Sequence, residues 1–146
     1  MADANNSPRI VVGVDGSPLA RSALEFAIEE ARLRGAQLHV IYAYPAMASA
    51  LTGSTGKDYY EQVESDAREL LQGLVGDAPS TEGVDVEWIA VPGNPSEVLI
   101  EASKDSVLLV VGSRGVGGFM GLVMGSVSTQ CVHYSHCPVL VVREEH

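Results

Sequence analysis

The sequence predicts an α/β protein: a three-layer sandwich in which helices cover both faces of a five-stranded parallel sheet. Two observations indicate this fold. Short apolar runs alternate with longer amphipathic stretches, which is typical of repeated strand–helix–strand units. The first run, residues 10–14, is apolar on both faces, as a strand buried between two helix layers has to be.

The first strand and helix carry the clearest local signals. The strand is followed by Asp15 and Gly16, then by Ser17, a good N-cap, and Pro18, a good first helical residue. Gly35 is suited to end the helix. One apolar stripe runs along it, formed by Ala20, Ala23, Leu24, Ala27, Ile28 and Ala31.

The remaining elements follow the same alternation. Strands are expected at residues 37–43, 84–91, 107–111 and 138–142, and helices at 57–75, from 94 to about 102, and 126–134. Ligands of open parallel sheets bind beyond the carboxyl ends of the strands, where the strand order reverses. The site is therefore expected at residues 15–17 after the first strand, near Ile41 in the second, and from Gly112 onward after the fourth.

Size and charge limit the function. The chain has 146 residues and 46% hydrophobic residues, which suits one domain over residues 9–146, behind a flexible tail of residues 1–8. Its net charge of −10 repels phosphate backbones and anionic lipids, so we expect neither a nucleic-acid partner nor membrane association. Nothing resembles a membrane span or a secretion signal, which predicts a cytoplasmic protein.

The segment from Gly112 to Ser126 contains six glycines in 15 positions. Because it follows a buried strand and opens a helix, its backbone N–H groups can face an anion. A β-carbon at these glycines would intrude on phosphates or strain a backbone of positive φ. The spacing matches neither the dinucleotide fingerprint nor the Walker A loop. The residues alone leave open a phosphate-binding loop and a loop that is merely flexible.

The spacing Gly-x2-Gly-x9-Gly-Ser, formed by Gly112, Gly115, Gly125 and Ser126, resembles that of the nucleotide-binding universal stress proteins. The resemblance extends over nearly the whole chain. Its other parts are Val-Asp-Gly-Ser at 14–17, Leu-His-Val at 38–40, Gly-Asn-Pro at 93–95 and Cys-Pro-Val-Leu-Val-Val-Arg at 137–143.

The resemblance implies a strand order of 3-2-1-4-5 and a site for an adenine nucleotide: ATP, or else AMP or cyclic AMP, with or without Mg²⁺. It places Asp15 near adenine and ribose, and the backbone of Val40 against adenine. It places Gly112, Gly115, Gly125, Ser126 and Val127 around the ribose and phosphates. The residues alone favour a turn or helix-cap role for Asp15 over a binding role, and they indicate that Val40 is a core residue.

Three functions are compatible with this reading. The first is a stress-response signalling module that binds ATP, and the second a slow ATPase or phosphotransferase using the same site. The third is a structural protein without nucleotide, which the intact glycine motif argues against. We assign no catalytic residue, because the sequence contains neither a Gly-x-Ser-x-Gly elbow nor a dedicated base. We assign no metal site, because Cys131 and His133 differ by about 200° around a helix and point apart.

The last strand predicts a homodimer. Residues 138–142 are apolar with no charge before Arg143, and an open edge of this kind favours pairing with another chain. In a two-fold dimer the strand would pair with its own copy through Val139–Val142. The alternative is a monomer whose edge is covered by residues 1–8.

Overall fold

The structure, a computed structural model, describes residues 7–45, 54–115 and 124–144. Five strands alternate with four helices in this part of the chain. They are β1 (Arg9–Gly13), α1 (Pro18–Arg34), β2 (Gln37–Tyr44), α2 (Ser54–Asp77), β3 (Val86–Pro92), α3 (Pro95–Ser103), β4 (Leu108–Gly112), α4 (Ser126–Tyr134) and β5 (Val139–Val142).

The five strands form one parallel sheet in the order β3-β2-β1-β4-β5, which confirms the predicted fold class. In the register of the central pair, Val12 of β1 lies opposite Val40 of β2. The chain proceeds from β1 to β2 and β3 on one side, and then crosses to β4 and β5 on the other. The strand order therefore reverses between β1 and β4.

Two apolar layers hold the helices against the sheet. On one face, Ile10, Val12 and Val40 pack with the predicted stripe of α1, all six residues of which are buried. On the other face, Val11 and Leu109 pack with Leu99 of α3 and Cys131 of α4. The sheet is thus covered on both sides.

The predicted boundaries of α1 are confirmed. Ser17 Oγ accepts a hydrogen bond from the N–H of Ala20 at 3.2 Å, and Pro18 is the first helical residue. Gly35 ends the helix in the left-handed region, with φ of 62°. After Gly13, the chain therefore turns and enters α1 at a fixed position.

Other boundaries differ from the sequence prediction. Helix α2 extends beyond the predicted residues 57–75 at both ends, and β3 begins at Val86 rather than at residue 84. The carbonyl of Pro8 accepts a hydrogen bond from the N–H of Gln37 at 2.8 Å, so Pro8 is tied to the sheet although it was assigned to the flexible tail. Residues 1–6 of that tail and residues 116–123 of the glycine segment lie outside the described residues.

None of the described helices combines the length and the apolar character needed to cross a bilayer.

Candidate functional site

A cavity of about 450 Å³ opens at the carboxyl ends of the central strands. It lies where the strand order reverses, and its volume is in the range of small-molecule sites. Its lining residues are Gly13, Val14, Asp15, Ala20, Ile41, Ala43, Pro95, Leu99, Val111, Gly112, Arg114, Gly115, Gly125, Ser126, Val127 and Ser128.

Most of the site residues predicted from the sequence meet at this cavity. Its lining includes Asp15, Gly112, Gly115, Gly125, Ser126 and Val127. Val40 is not among the lining residues: its side chain is fully buried in the core on the α1 face of the sheet. Strand β2 lines the cavity with Ile41, near which the site was expected, and with Ala43, which the sequence analysis missed. The backbone contact expected of Val40 stays a prediction.

The lining differs in character between the two sides of β1. From β2 and α3 come apolar residues: Ile41, Ala43, Pro95 and Leu99. From the connection between β4 and α4 come small and polar residues, mainly glycines and serines, together with Arg114. The cavity therefore offers apolar surface on one side and hydrogen-bonding groups on the other.

The connection between β4 and α4 is held in place by the backbone of Ser113. Its carbonyl accepts hydrogen bonds from the N–H of Gly125 at 2.6 Å and from Ser128 Oγ at 2.7 Å. Its own N–H donates to the carbonyl of Val142 at 2.8 Å. Gly125 thereby returns beside Ser113, and Gly115 and Ser126 belong to one wall of the cavity.

Helix α4 begins at this wall. Its N-cap is Gly125, with φ of −83° and ψ of 177°, and no side chain caps the helix. The first hydrogen bond of the helix runs from the N–H of Thr129 to the carbonyl of Gly125. The N–H groups of the first turn have no acceptor within the helix, and they carry the positive end of its dipole. An anion in the cavity would complement them.

None of the three motif glycines has a positive φ, and a close approach of neighbouring atoms requires glycine only at Gly112 and Gly115. Positive φ occurs among the described residues at Gly16, Gly35, Gly83 and Gly93. A β-carbon on Gly112 would lie 3.2 Å from the backbone of Leu19, and one on Gly115 would collide with Oδ2 of Asp15. A β-carbon on Gly125 would make ordinary contacts, at 3.5 Å or more. The prediction of backbone strain at these three glycines is therefore wrong.

Asp15 has a structural role in addition to its position in the cavity. Its Oδ1 accepts a hydrogen bond from the N–H of Ser17 at 2.9 Å, which fixes the turn between β1 and α1. The turn interpretation that the residues left open is thus present in the structure. The same carboxylate lies against Gly115, so it joins the turn to the glycine segment.

Charge in the cavity is sparse. Of the lining residues that the structure describes, Arg114 is the only cation and Asp15 the only anion. The Arg114 guanidinium forms an ion pair with Glu144, which follows β5. Arg114 also borders a second cavity of about 190 Å³, next to Ser17, Pro18, Leu19, Gly115 and Glu144. No pattern in the sequence predicts the pairing of Arg114 with Glu144.

The two cysteines belong to the core. Burial raises the pKa of the Cys131 thiol to about 11 and also raises the pKa of Cys137, so both thiols are held in the protonated form at neutral pH. Within the described ranges, no group of three or more His, Cys, Asp or Glu side chains is arranged to hold a metal ion.

Comparison with known proteins identifies the family. Residues 7–143 match the universal stress protein family. The chain belongs to this family. A universal stress protein of Mycobacterium tuberculosis is 32% identical over 142 residues, covering 97% of this chain and 47% of the relative. This universal stress protein thus spans about half the length of its mycobacterial relatives. A Synechocystis universal stress protein is 31% identical over 150 residues, covering 92% of this chain and 97% of the relative.

Solved structures of universal stress proteins share the fold. One, in complex with cAMP, has a TM-score of 0.70 and 26% identity, covering 95% of this chain and 98% of the other. A second, from Archaeoglobus fulgidus in complex with dAMP, has a TM-score of 0.62 and 25% identity, covering 93% and 97% of the two chains. Two structural neighbours of this universal stress protein therefore bind adenine nucleotides.

Proposed function

We propose that this universal stress protein binds an adenine nucleotide, ATP in particular, and acts as a nucleotide-dependent signalling module of the stress response. The observation that carries the proposal is the two-sided lining of the cavity. Apolar side chains from β2 and α3 face a wall of small residues and first-turn helix N–H groups from the β4–α4 connection. Adenine requires an apolar surface, and phosphate requires a wall with exposed N–H groups.

The adenine base is proposed to bind on the apolar side. Ile41 and Leu99 are nearly fully buried, so their side chains are held in fixed positions and offer a preformed apolar surface to a flat ring. Val40, next to Ile41, would contribute a backbone hydrogen-bonding group to the base. Asp15 is proposed to contact the ribose, since its carboxylate lies between the β1–α1 turn and the glycine segment.

The phosphates are proposed to bind on the opposite wall. Gly112, Gly115 and Gly125 keep that wall free of side chains, so that phosphate oxygens can approach the backbone closely. Ser126 and Val127 supply N–H groups in the first turn of α4, and the helix dipole favours an anion there. The resemblance of the Gly-x2-Gly-x9-Gly-Ser spacing to that of the nucleotide-binding universal stress proteins supports phosphate binding at this wall, and the cAMP and dAMP complexes of the neighbours support the adenine.

A Mg²⁺ ion accompanying ATP would depend mainly on the phosphates. Mg²⁺ in nucleotide sites is held by one or two carboxylates together with phosphate oxygens and water. Asp15 is the carboxylate that the described lining offers, and its Oδ1 is already engaged by the N–H of Ser17.

Mass spectrometry of ligand released from the purified protein tests the proposal. We expect an adenine nucleotide, with ATP as the main species. A protein that carries none and binds none when ATP is added would contradict it. The same protein, incubated with ATP, separates the signalling module from the slow ATPase, because turnover faster than about one per minute would favour an enzyme.

We also propose that the universal stress protein forms a homodimer through β5. This strand lies at one edge of the sheet, and Val139, Leu140 and Val141 are partly exposed. An antiparallel pair with a second copy would satisfy its open backbone groups and cover these side chains.

A further inference from the structure

The ion pair between Arg114 and Glu144 lies at the border of the two cavities. Arg114 lines both of them, and Glu144 lines the smaller one. The Arg114 side chain is 18% exposed and that of Glu144 is 57% exposed. A guanidinium this buried requires an anionic partner, and here Glu144 supplies it.

The backbone brings the two residues together. The N–H of Ser113, the residue before Arg114, donates to the carbonyl of Val142, two residues before Glu144. This hydrogen bond extends the pairing of β4 with β5, and the ion pair lies just beyond the end of that pairing. Glu144 follows the last strand and is mostly exposed, so its side chain can leave Arg114 without disturbing the core.

The charges make the pair important for an anionic ligand. With Glu144 in place, the charge of Arg114, the only cation of the described lining, is neutralised. The whole chain adds a net charge of −10. A phosphate and the Glu144 carboxylate would both bind the same guanidinium through charge-assisted hydrogen bonds, so they compete for it.

We propose that Glu144 is an internal competitor of the nucleotide phosphates for Arg114. This inference rests on the proposed function and extends it. Arg114 binds the end of the phosphate chain only when Glu144 is displaced from it. The affinity therefore depends on the number of phosphates that the nucleotide carries. Adenosine, which carries no anion, does not displace Glu144. The smaller cavity beyond Arg114, of about 190 Å³, has room for the outer phosphates.

Calorimetric titration of the full chain with adenosine, AMP and ATP tests the proposal. The variants are Glu144→Gln, Arg114→Gln and the double variant. The matched control is Glu101→Gln, which removes one negative charge from another exposed ion pair, that with Lys104 at 2.9 Å. Thermal unfolding checks that each variant is folded.

We expect Glu144→Gln to raise the affinity for ATP about three- to tenfold, as the loss of a competing, partly exposed ion pair implies. AMP should gain less and adenosine nothing, and Glu101→Gln should bind ATP like the wild type. In the Arg114→Gln background, the Glu144→Gln substitution should have no further effect, because both act through the same guanidinium.

Three results would overturn the proposal: an ATP affinity of Glu144→Gln no higher than that of Glu101→Gln, an equal gain for adenosine, or a gain that persists without Arg114. In each of them the wild type still binds ATP, so the proposed function survives. A wild type that binds neither adenosine nor ATP overturns the proposed function, and this inference with it.

Discussion

Gly112, Gly115 and Gly125 belong to one sequence motif, but each meets different surroundings. A β-carbon on Gly112 would press on the backbone of Leu19, which is held by α1, whereas Gly125 has room for one. We therefore expect Gly112→Ala to lower the free energy of unfolding by about 1–3 kcal/mol, the range for overpacking. Gly125→Ser should leave it unchanged or raise it slightly, since Gly125 is an N-cap in extended conformation. Urea denaturation of both variants checks this, and equal losses would contradict it.

His39 is a second residue with a measurable consequence. Burial lowers its pKa, the nearby Arg9 lowers it further, and Glu87 and Asp85 act in the opposite direction. Its Nε2 lies 3.3 Å from Oε2 of Glu87, but without the alignment of a hydrogen bond. Below its ordinary pKa of about 6.5 the unfolded chain binds more protons at His39 than the folded one, so stability is lost as the pH falls.

This linkage predicts the behaviour of a His39→Gln variant. Its thermal unfolding midpoint should depend less steeply on pH between about 5 and 7.5 than that of the wild type, because the proton uptake of the unfolded state at this position is removed. His133→Gln, a change at an exposed histidine, is the control and should keep the wild-type slope. A His39→Gln variant with an unchanged slope would show that His39 does not contribute.

One serine ties helix α4 to the end of β4, in addition to the apolar packing of Cys131. Ser128 is buried, and its hydroxyl donates to the carbonyl of Ser113. Because that carbonyl also accepts the N–H of Gly125, removing the hydroxyl leaves no unpaired acceptor. We expect Ser128→Ala to cost about 0.5–1.5 kcal/mol of unfolding free energy. Ser126→Ala, at an exposed position of the same helix, should cost less, and chemical denaturation that ranks the two in the reverse order would contradict this assignment.

At the scale of elements, the sequence predicted the features that depend on residues close together in the chain. The cap at Ser17, the stop at Gly35 and the stripe of α1 depend on residues within the helix and its neighbours, and all are confirmed. The role of Ser128 depends on Ser113, 15 residues earlier, and that of Arg114 on Glu144. No local pattern encodes such contacts. Similarly, the lining residues Ile41 and Leu99 look like ordinary core residues in the sequence.

At the scale of the molecule, the proposed homodimer depends on β5. The N–H of Leu109 donates to the carbonyl of Pro138 and that of Ser113 to Val142, so the backbone groups of Val139 and Val141 point to the open edge. Their side chains pack against the core on the α3–α4 face, and a charged substitution would therefore also unfold the chain. Proline removes an edge donor with less disturbance.

Light scattering of Val141→Pro tests the dimer. We expect the wild type at twice the chain mass of 15.4 kDa and the variant at the chain mass, with unchanged circular dichroism. Val132→Lys, at an exposed position of α4, should remain dimeric. A wild type that scatters as a monomer at micromolar concentration would rule out the β5 interface.

The central claim, that the glycine wall binds nucleotide phosphates, is tested most directly by calorimetric titration of ATP into the wild type and a Gly115→Val/Gly125→Val variant. A valine at position 115 would displace Asp15, and one at position 125 would fill the wall before α4. Gly115 is exposed, and Gly125 has room for a β-carbon. We predict that the variant stays folded without ligand, with an unfolding temperature lowered by the displacement of Asp15 from the β1–α1 turn, and that its affinity for ATP falls by about 100-fold or more, as expected for the loss of several phosphate contacts. Equal ATP affinity in the two proteins would contradict the account.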